Sequence, residues 1–276
     1  MSLLSFMQEP NNRDRFRQEF KKPKLTVKQE LLAPPLTTNY QLVGTAFDYL
    51  LRFLVQRLNP QAQDRGWVAE ASVSMLSRSP RLHHLYDESR KIVDAAKSHH
   101  ALFLKTGEFT DELLRHTLLL SKIDAFTRAG IIDENLQQID DLDIQDLKNL
   151  IAVADPNQFK STAQVFINPG FGIASASVGG ADADLILGDL LVEIKVTKDF
   201  KLKPEYFDQL IGYYTLSVLN QKYEYGHYDS YEIKRIGIYF ARHGYLHIMN
   251  IEDIVNPATF PSFLEWFESR TRGSAA

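Results

Sequence analysis

The chain of 276 residues has a formal net charge of -4, 44% apolar residues, 24% charged residues and no cysteine. The lack of cysteine excludes disulfides, zinc–thiolate sites and iron–sulfur clusters, and the composition is that of an ordinary globular protein with one large domain or two small ones. No apolar run approaches the roughly 18 residues of a membrane span, and the start does not resemble a signal peptide, so we expect no membrane partner and a cytoplasmic location.

Basic residues are concentrated in two stretches of this acidic chain. One lies between residues 13 and 28, and the other comprises Lys195, Lys198, Lys201 and Lys203. A protein that coats nucleic acid is usually basic overall, so this chain would have to bind DNA through such a local patch. Taken alone, either stretch is more typical of a solvated surface.

The first half of the chain is mainly helical in pattern. Residues 1–36 are expected to form an N-terminal arm, since polar residues dominate and prolines interrupt any long helix. Apolar residues then recur at helical spacing from residue 40 to residue 58, and residues 66–128 are mostly helical in pattern. The remaining chain, residues 37–272, is expected to be one domain.

An acidic segment over residues 133–155 has Asp-x-Asp fragments that invite comparison with a calcium loop. The glycine and the terminal glutamate of such a loop are not at the required spacings, so a solvated helical segment is the better interpretation. We expect it to be part of a helical insertion at about residues 81–155.

From residue 163 the apolar pattern changes to a period of two, which indicates strands separated by glycine turns. The expected strands are residues 163–168, 172–177, 181–187 and 190–196 and a hairpin of residues 235–241 and 245–249; the expected helices are residues 206–219 and 260–269. This order predicts a fold of the α/β class with a central mixed sheet flanked by helices.

Two other patterns favour ordinary structure over a ligand site. Gly170-Phe-Gly172 resembles half of a dinucleotide-binding turn, but the residues after it do not read as the helix that such a turn requires. The adjacent histidine pairs at positions 83–84 and 99–100 diverge by about 100° on a helix, so neither pair can hold one metal. We expect these histidines to be solvated.

Charged residues interrupt the apolar strands in a pattern that suits phosphodiester hydrolysis. Glu193 and Lys195 are two apart and share one strand face, as do Asp182 and Asp184 on the preceding strand. Hard carboxylate oxygens on neighbouring strands can hold Mg²⁺, and a lysine beside them can stabilise developing negative charge. The alternative for an isolated Glu-x-Lys is a surface ion pair of little energetic value.

Together, Asp184 and Glu193-Ile194-Lys195 resemble the PD-(D/E)xK nuclease superfamily, which has the restriction-endonuclease-like fold. The pair Gln209-x-x-x-Tyr213 is similar to the extra helical motif of its RecB-type branch. The proline of the family name is absent, because Ala183 precedes Asp184, but the glycine-led sequence Gly180-Ala-Asp-Ala-Asp184 is similar to the version in RecB-like members.

RecB-like members place a metal-contacting histidine or acid on an early helix, and Asp48 is the counterpart suggested by this resemblance, with Glu70 as the competing candidate. The resemblance further implies Mg²⁺ or Mn²⁺ held by Asp184, Glu193 and the Ile194 carbonyl.

Lys195 is implied as the catalytic lysine, and Gln209 and Tyr213 as residues that orient it or contact the substrate. Asp182 is expected to contact the metal ligands without binding the metal itself. Lys198, Lys201 and Lys203 are expected to contact DNA. The resemblance implies a metal-dependent deoxyribonuclease, and leaves open whether its pathway is repair, recombination or defence. Two alternatives stay open: a catalytically inactive nucleic-acid-binding protein on the same fold, and a scaffold whose ion pairs are structural.

Overall fold

A computed structural model describes residues 3–222 and 231–272 of the chain. Its centre is one open, mixed sheet of six strands whose spatial order follows the chain. The strands are β1 (Gln63–Asp64), β2 (Val165–Ile167), β3 (Leu185–Leu187), β4 (Leu190–Lys195), β5 (Arg235–Phe240) and β6 (Tyr245–Asn250). The β1–β2 and β4–β5 pairs are parallel, and the other three pairs are antiparallel.

Ten α-helices surround the sheet in the described part of the chain. They are α1 (Leu3–Gln8), α2 (Pro10–Glu19), α3 (Tyr40–Leu58), α4 (Val68–Ser77), α5 (Tyr86–Thr106), α6 (Asp111–Ala129), α7 (Asp141–Ala152), α8 (Gly172–Ser177), α9 (Pro204–Gln221) and α10 (Phe260–Arg272). Helix α5 ends at Gly107 and α6 at Gly130, each in the left-handed conformation that glycine adopts most readily. A six-stranded mixed sheet with helices around it confirms the predicted α/β class.

Strand β4 is buried on both faces because helices cover both sides of the sheet. Leu190, Val192 and Ile194 pack into an apolar cluster with α3 to α7. Leu191 belongs to a second cluster, formed with α1, α2, α9 and α10. Since side chains alternate along a strand, Glu193 and Lys195 project to the side of Leu191, toward α9.

The N-terminal residues contain two helices that the sequence pattern did not predict. Leu3, Phe6 and Met7 of α1 are buried, and Phe16 of α2 lies against Phe263 of α10 with ring centroids 5.0 Å apart. Polar residues dominate this stretch, yet these four large apolar side chains are buried. They close the apolar cluster beneath α9 and α10.

Residues 172–177 form a helix, so the predicted strand at this position is wrong. The alternating Ala and Ser residues imitate a period of two, but Ile173 is the single β-branched or aromatic side chain of the segment that would favour a sheet. The Ser175 hydroxyl accepts a hydrogen bond from the Phe171 amide at 3.1 Å and donates one to the Ala181 carbonyl at 2.6 Å. Helix α8 is therefore a short element, buried at Ala174 and Ser175, that leads toward Asp184 and β3.

The expectation of a solvated acidic segment is wrong for two residues of α7. Asp143 and Asp146 are each 1% exposed. Nη1 and Nη2 of Arg242 donate to Asp146, at 2.7 and 2.9 Å. The Asn39 side-chain amide donates to Asp143 at 3.0 Å. A buried carboxylate needs such partners, and here they lie about a hundred residues away in the sequence.

Among residues 3–222 and 231–272, no helix is both long and apolar enough to cross a membrane.

Candidate active site

The site begins where β3 and β4 pair. Leu185 lies opposite Val192 in this antiparallel register, and one further step places Asp184 opposite Glu193. Directly opposite residues share a sheet face. The Asp184 carboxylate also accepts a hydrogen bond of 2.7 Å from the Ile194 amide. The two acids predicted as metal ligands are therefore neighbours on the face that α9 covers.

A continuous chain of hydrogen bonds connects β4 to α9. The Lys195 ammonium donates to Glu193 Oε1 at 2.8 Å and to Gln209 Oε1 at 2.9 Å. The Gln209 amide in turn donates to the Tyr213 hydroxyl at 2.8 Å. Gln209 and Tyr213 lie one helical turn apart, so a single face of α9 presents both. The predicted grouping of these four residues is thus present as direct contacts.

The environment keeps Lys195 charged and Tyr213 protonated. Burial alone would lower the pKa of Lys195, but the nearby Glu193 and Asp184 carboxylates outweigh burial and raise that pKa. Burial, followed by the charge of Glu193, raises the pKa of Tyr213 well above its ordinary value. The ammonium also lies 5.1 Å from the centre of the Tyr206 ring, a favourable position for a cation.

Glu193 is the most deeply buried acid of the site, with only 4% of the residue exposed. Its Oε1 bonds Lys195, whereas its buried Oε2 has no hydrogen-bond partner. Burial, with a further contribution from Asp184, raises its pKa to about 8 against the opposing effect of Lys195. A buried carboxylate oxygen without a donor is costly, and this oxygen is available to a cation.

Helix α3 brings Asp48 to the edge of the site. Arg52 Nε donates to Asp48 Oδ1 at 3.0 Å, and Arg52 Nη2 lies 4.0 Å from Asp184 Oδ1. Burial, together with the Asp184 charge, raises the pKa of Asp48 to about 7, although Arg52 acts in the opposite direction. The competing candidate, Glu70, pairs instead with Lys97, and both of those side chains are partly exposed.

Arg52 was not identified from the sequence, although only 5% of it is exposed. Its guanidinium lies between α3 and β3 and also faces the Tyr49 ring at 5.8 Å. The available signal was an arginine four residues after Asp48 within a stretch, residues 46–55, that is otherwise apolar. Such a residue is unusual in a core unless a carboxylate accompanies it.

The remaining predicted residues lie around this centre. Asp182 forms an isolated bridge with Gly170, burial raises its pKa, and the strongest opposing charge is Arg65. Lys198 and Lys201 are exposed in the segment between β4 and α9. Lys203 lies 3.5 Å from Asp199 and 5.5 Å from the centre of the Tyr206 ring.

The carboxylates offer hard oxygen donors that suit Mg²⁺ or Mn²⁺. Asp184 and Glu193 on one sheet face, with the unpartnered Glu193 Oε2 between buried groups, fit such a cation. Asp48 is hydrogen-bonded to Arg52. It does not form with Asp184 and Glu193 a group whose ligand atoms all lie within 4.8 Å of one another. Among the described residues, three potential ligand atoms within 4.8 Å of one another occur instead at His99, Glu112 and His116.

The histidines at positions 83 and 84 are exposed, as the sequence suggested, whereas those at positions 99 and 100 are partly buried. His100 stacks on Phe53 with ring centroids 4.0 Å apart, and burial lowers its pKa to about 4. His99 lies beside His116, which belongs to the next helix. Adjacent histidines indeed diverge, but the expectation did not consider partners on a neighbouring helix.

Comparison with known proteins finds no matching family model, no matching curated protein and no matching solved structure.

Proposed function

We propose that this protein is a metal-dependent deoxyribonuclease of the PD-(D/E)xK type, in its RecB-like branch, that hydrolyses DNA phosphodiester bonds. The proposal rests on three hydrogen bonds. The Ile194 amide donates to Asp184, and the Lys195 ammonium donates to both Glu193 and Gln209. Three separated parts of the sequence, at position 184, positions 193–195 and position 209, form one polar group where two strands meet a helix. The resemblance to the superfamily supports this assignment, and function is argued from these residues rather than from the fold.

The protein side chains divide the work as follows. Asp184 and Glu193 would hold Mg²⁺ or Mn²⁺, assisted by the Ile194 carbonyl and, when Arg52 releases it, by Asp48. The cation, when bound, supplies charge neutralisation and a more acidic water at the phosphate. Lys195 holds a proton at Nζ and places positive charge beside the scissile phosphate. Gln209 fixes the direction of that ammonium, and the Tyr213 hydroxyl fixes Gln209.

The direct test is incubation of the purified protein with linear and circular DNA, single- and double-stranded, with Mg²⁺, Mn²⁺ or EDTA. Cleavage that requires the cation and disappears in Asp184→Asn supports the proposal. Cation-independent cleavage, or equal cleavage by Asp184→Asn and the parent protein, contradicts it. A control substitution is Asp189→Asn, which removes a carboxylate from the other end of the same β3–β4 hairpin, where it pairs with Arg235.

A second candidate is a DNA-binding protein on this fold that does not cleave. The buried Arg52 favours it, because a guanidinium already accompanies Asp48 and approaches Asp184 at 4.0 Å. An inactive protein of this kind would bind DNA equally with Mg²⁺ or EDTA. Calorimetric titration with Mn²⁺ separates the two, since the nuclease should bind the cation and lose that binding in Glu193→Gln.

Neutralising Lys198, Lys201 and Lys203 should weaken DNA binding and flatten its salt dependence. On duplex DNA the log–log slope should decrease by about 0.9 for each phosphate contact that is lost. Binding measured between low and moderate salt tests this, with the exposed lysines 91, 105 and 160 neutralised together as the control. A slope equal to that of this control would indicate that the three lysines are ordinary solvated residues that do not contact DNA.

Gln209→Ala should slow cleavage less than loss of Lys195 does. The substitution leaves the ammonium bonded to Glu193 at 2.8 Å and removes only its second acceptor. We expect roughly a 10-fold decrease of the single-turnover rate, at the lower end of what one polar group contributes to a transition state. Gln145→Ala on the exposed side of α7 is the matched control. A Gln209→Ala rate below that of Lys195→Ala would reverse the assigned roles.

A further inference from the structure

The helical hairpin of α5 and α6 carries a second cluster of metal-ligating groups. His99 lies on α5, and Glu112 and His116 lie on α6. One potential ligand atom from each residue lies within 4.8 Å of the other two. None of these residues belongs to the group around Asp184 and Glu193, so the cluster is independent of the proposed nuclease function.

The hairpin geometry explains why these residues meet. The loop after α5 is short, because Gly107 ends that helix and Thr110 caps the next, with its hydroxyl accepting from the Leu113 amide at 3.2 Å. Two helices joined in this way run antiparallel. Glu112 and His116 are four residues apart and share one face of α6, and His99 faces them across the hairpin with its ring centroid 4.5 Å from that of His116.

The hydrogen bonding of His116 determines which of its two ring nitrogens has a free lone pair. Its Nδ1 lies 2.7 Å from the Glu112 carbonyl oxygen, which can only accept, so Nδ1 carries the proton. In the neutral ring the lone pair is then on Nε2. A backbone carbonyl that fixes the tautomer and direction of an imidazole in this way is a common feature behind metal-bound histidines.

The cluster is accessible but not wholly solvated. The His116 side chain is 14% exposed and the Glu112 side chain is 62% exposed. Tetrahedral zinc with bonds of about 2.0–2.1 Å needs ligand atoms roughly 3.3 Å apart. Glu112 Oε2 lies 4.0 Å from the protonated Nδ1 of His116. Rotation of the exposed Glu112 toward Nε2, with a small shift of His99, would close the cluster from its present spread of up to 4.8 Å.

We infer that His99, Glu112 and His116 form a binding site for Zn²⁺ that ties α5 to α6, with solvent completing the coordination. Two imidazoles and one carboxylate select a late first-row metal over Mg²⁺, which prefers oxygen donors and a largely hydrated shell. The molecule would thus hold two chemically different cation sites, an oxygen site at the sheet and a nitrogen-rich site on the helical hairpin.

The test is calorimetric titration of the tag-free full-length protein with Zn²⁺ at neutral pH in excess Mg²⁺. We expect one equivalent to bind, with affinity at least about 10-fold weaker in His99→Gln and in His116→Gln, since even indirect partners of a metal contribute 10–100-fold. Glu112→Gln, at an exposed position, provides a third variant that should fold and should also bind more weakly.

The control is the double substitution His83→Gln and His84→Gln, which removes two exposed histidines outside the cluster and should leave affinity unchanged. Glu193→Gln should also retain Zn²⁺ binding, so failure of the nuclease proposal would not affect this result. No binding by the parent protein, or equal affinity in the His99, His116 and His83–His84 variants, would overturn the inference.

Discussion

Lys195→Ala should bind DNA with nearly the affinity of the parent protein and cleave it at least about 10²-fold more slowly. The ammonium bonds Glu193 and Gln209 and, through its raised pKa, stays charged at neutral pH. Its charge acts where negative charge develops on the phosphate, so its loss affects the transition state more than the bound substrate. One electrostatic stabiliser of this kind contributes about 10²–10³-fold.

The measurement is single-turnover cleavage together with equilibrium binding on the same duplex. Lys203→Ala is the matched control, because both ammonium groups lie over the Tyr206 ring, Lys195 at 5.1 Å and Lys203 at 5.5 Å. Only Lys195 bonds Glu193. We expect Lys203→Ala to weaken binding and to retain the rate at saturating protein. If Lys195→Ala cleaves as fast as the parent, this ion pair is structural and the nuclease assignment fails.

Local periodicity predicted the elements that carry the site. Strand β4 was expected at residues 190–196 and is found at Leu190–Lys195, and α9 was expected at residues 206–219 and is found at Pro204–Gln221. The shared face of Glu193 and Lys195 followed from the period of a strand, and that of Gln209 and Tyr213 from the period of a helix. These are short-range relations that any window of sequence contains.

The features that were missed depend on contacts between distant segments. Arg242 and Asp146 are 96 residues apart and meet only in the folded chain. Likewise His99 meets His116 only because a hairpin returns the chain, and Arg52 reaches Asp184 only because α3 packs against β2, the neighbour of β3. Helix α8 was missed for a different reason, since small alternating residues specify neither a strand nor a helix strongly.

Glu193→Gln should abolish most cleavage and at the same time stabilise the cation-free protein above neutral pH. Burial raises the pKa of Glu193 to about 8 from an ordinary value of 4.5. Below pH 4.5 the carboxyl is protonated in both folded and unfolded chains and does not affect stability. As pH rises toward about 8, the unfolded chain ionises first and is favoured, so the folded protein loses stability throughout this range.

Glutamine keeps an oxygen that can accept from Lys195 but cannot ionise. The stability difference in favour of Glu193→Gln should therefore grow from about pH 5 to about pH 8 and then level off, reaching the order of a few kcal/mol. Chemical denaturation in EDTA across this range measures it. Gln209→Glu, which adds an acid to the same cluster, provides the opposite case and should destabilise the protein over the same range.

Added Mg²⁺ or Mn²⁺ should make the parent protein more stable than Glu193→Gln. A ligand at 100 times its Kd stabilises the folded state by about 2.7 kcal/mol, and only the parent protein retains the second oxygen ligand that is unpartnered in the structure. Mg²⁺ or Mn²⁺ should thus raise the stability of the parent and leave Glu193→Gln nearly unchanged. If Glu193 serves only as a structural ion pair with Lys195, its replacement should instead destabilise the protein at every pH, and the cation should have no effect on either protein.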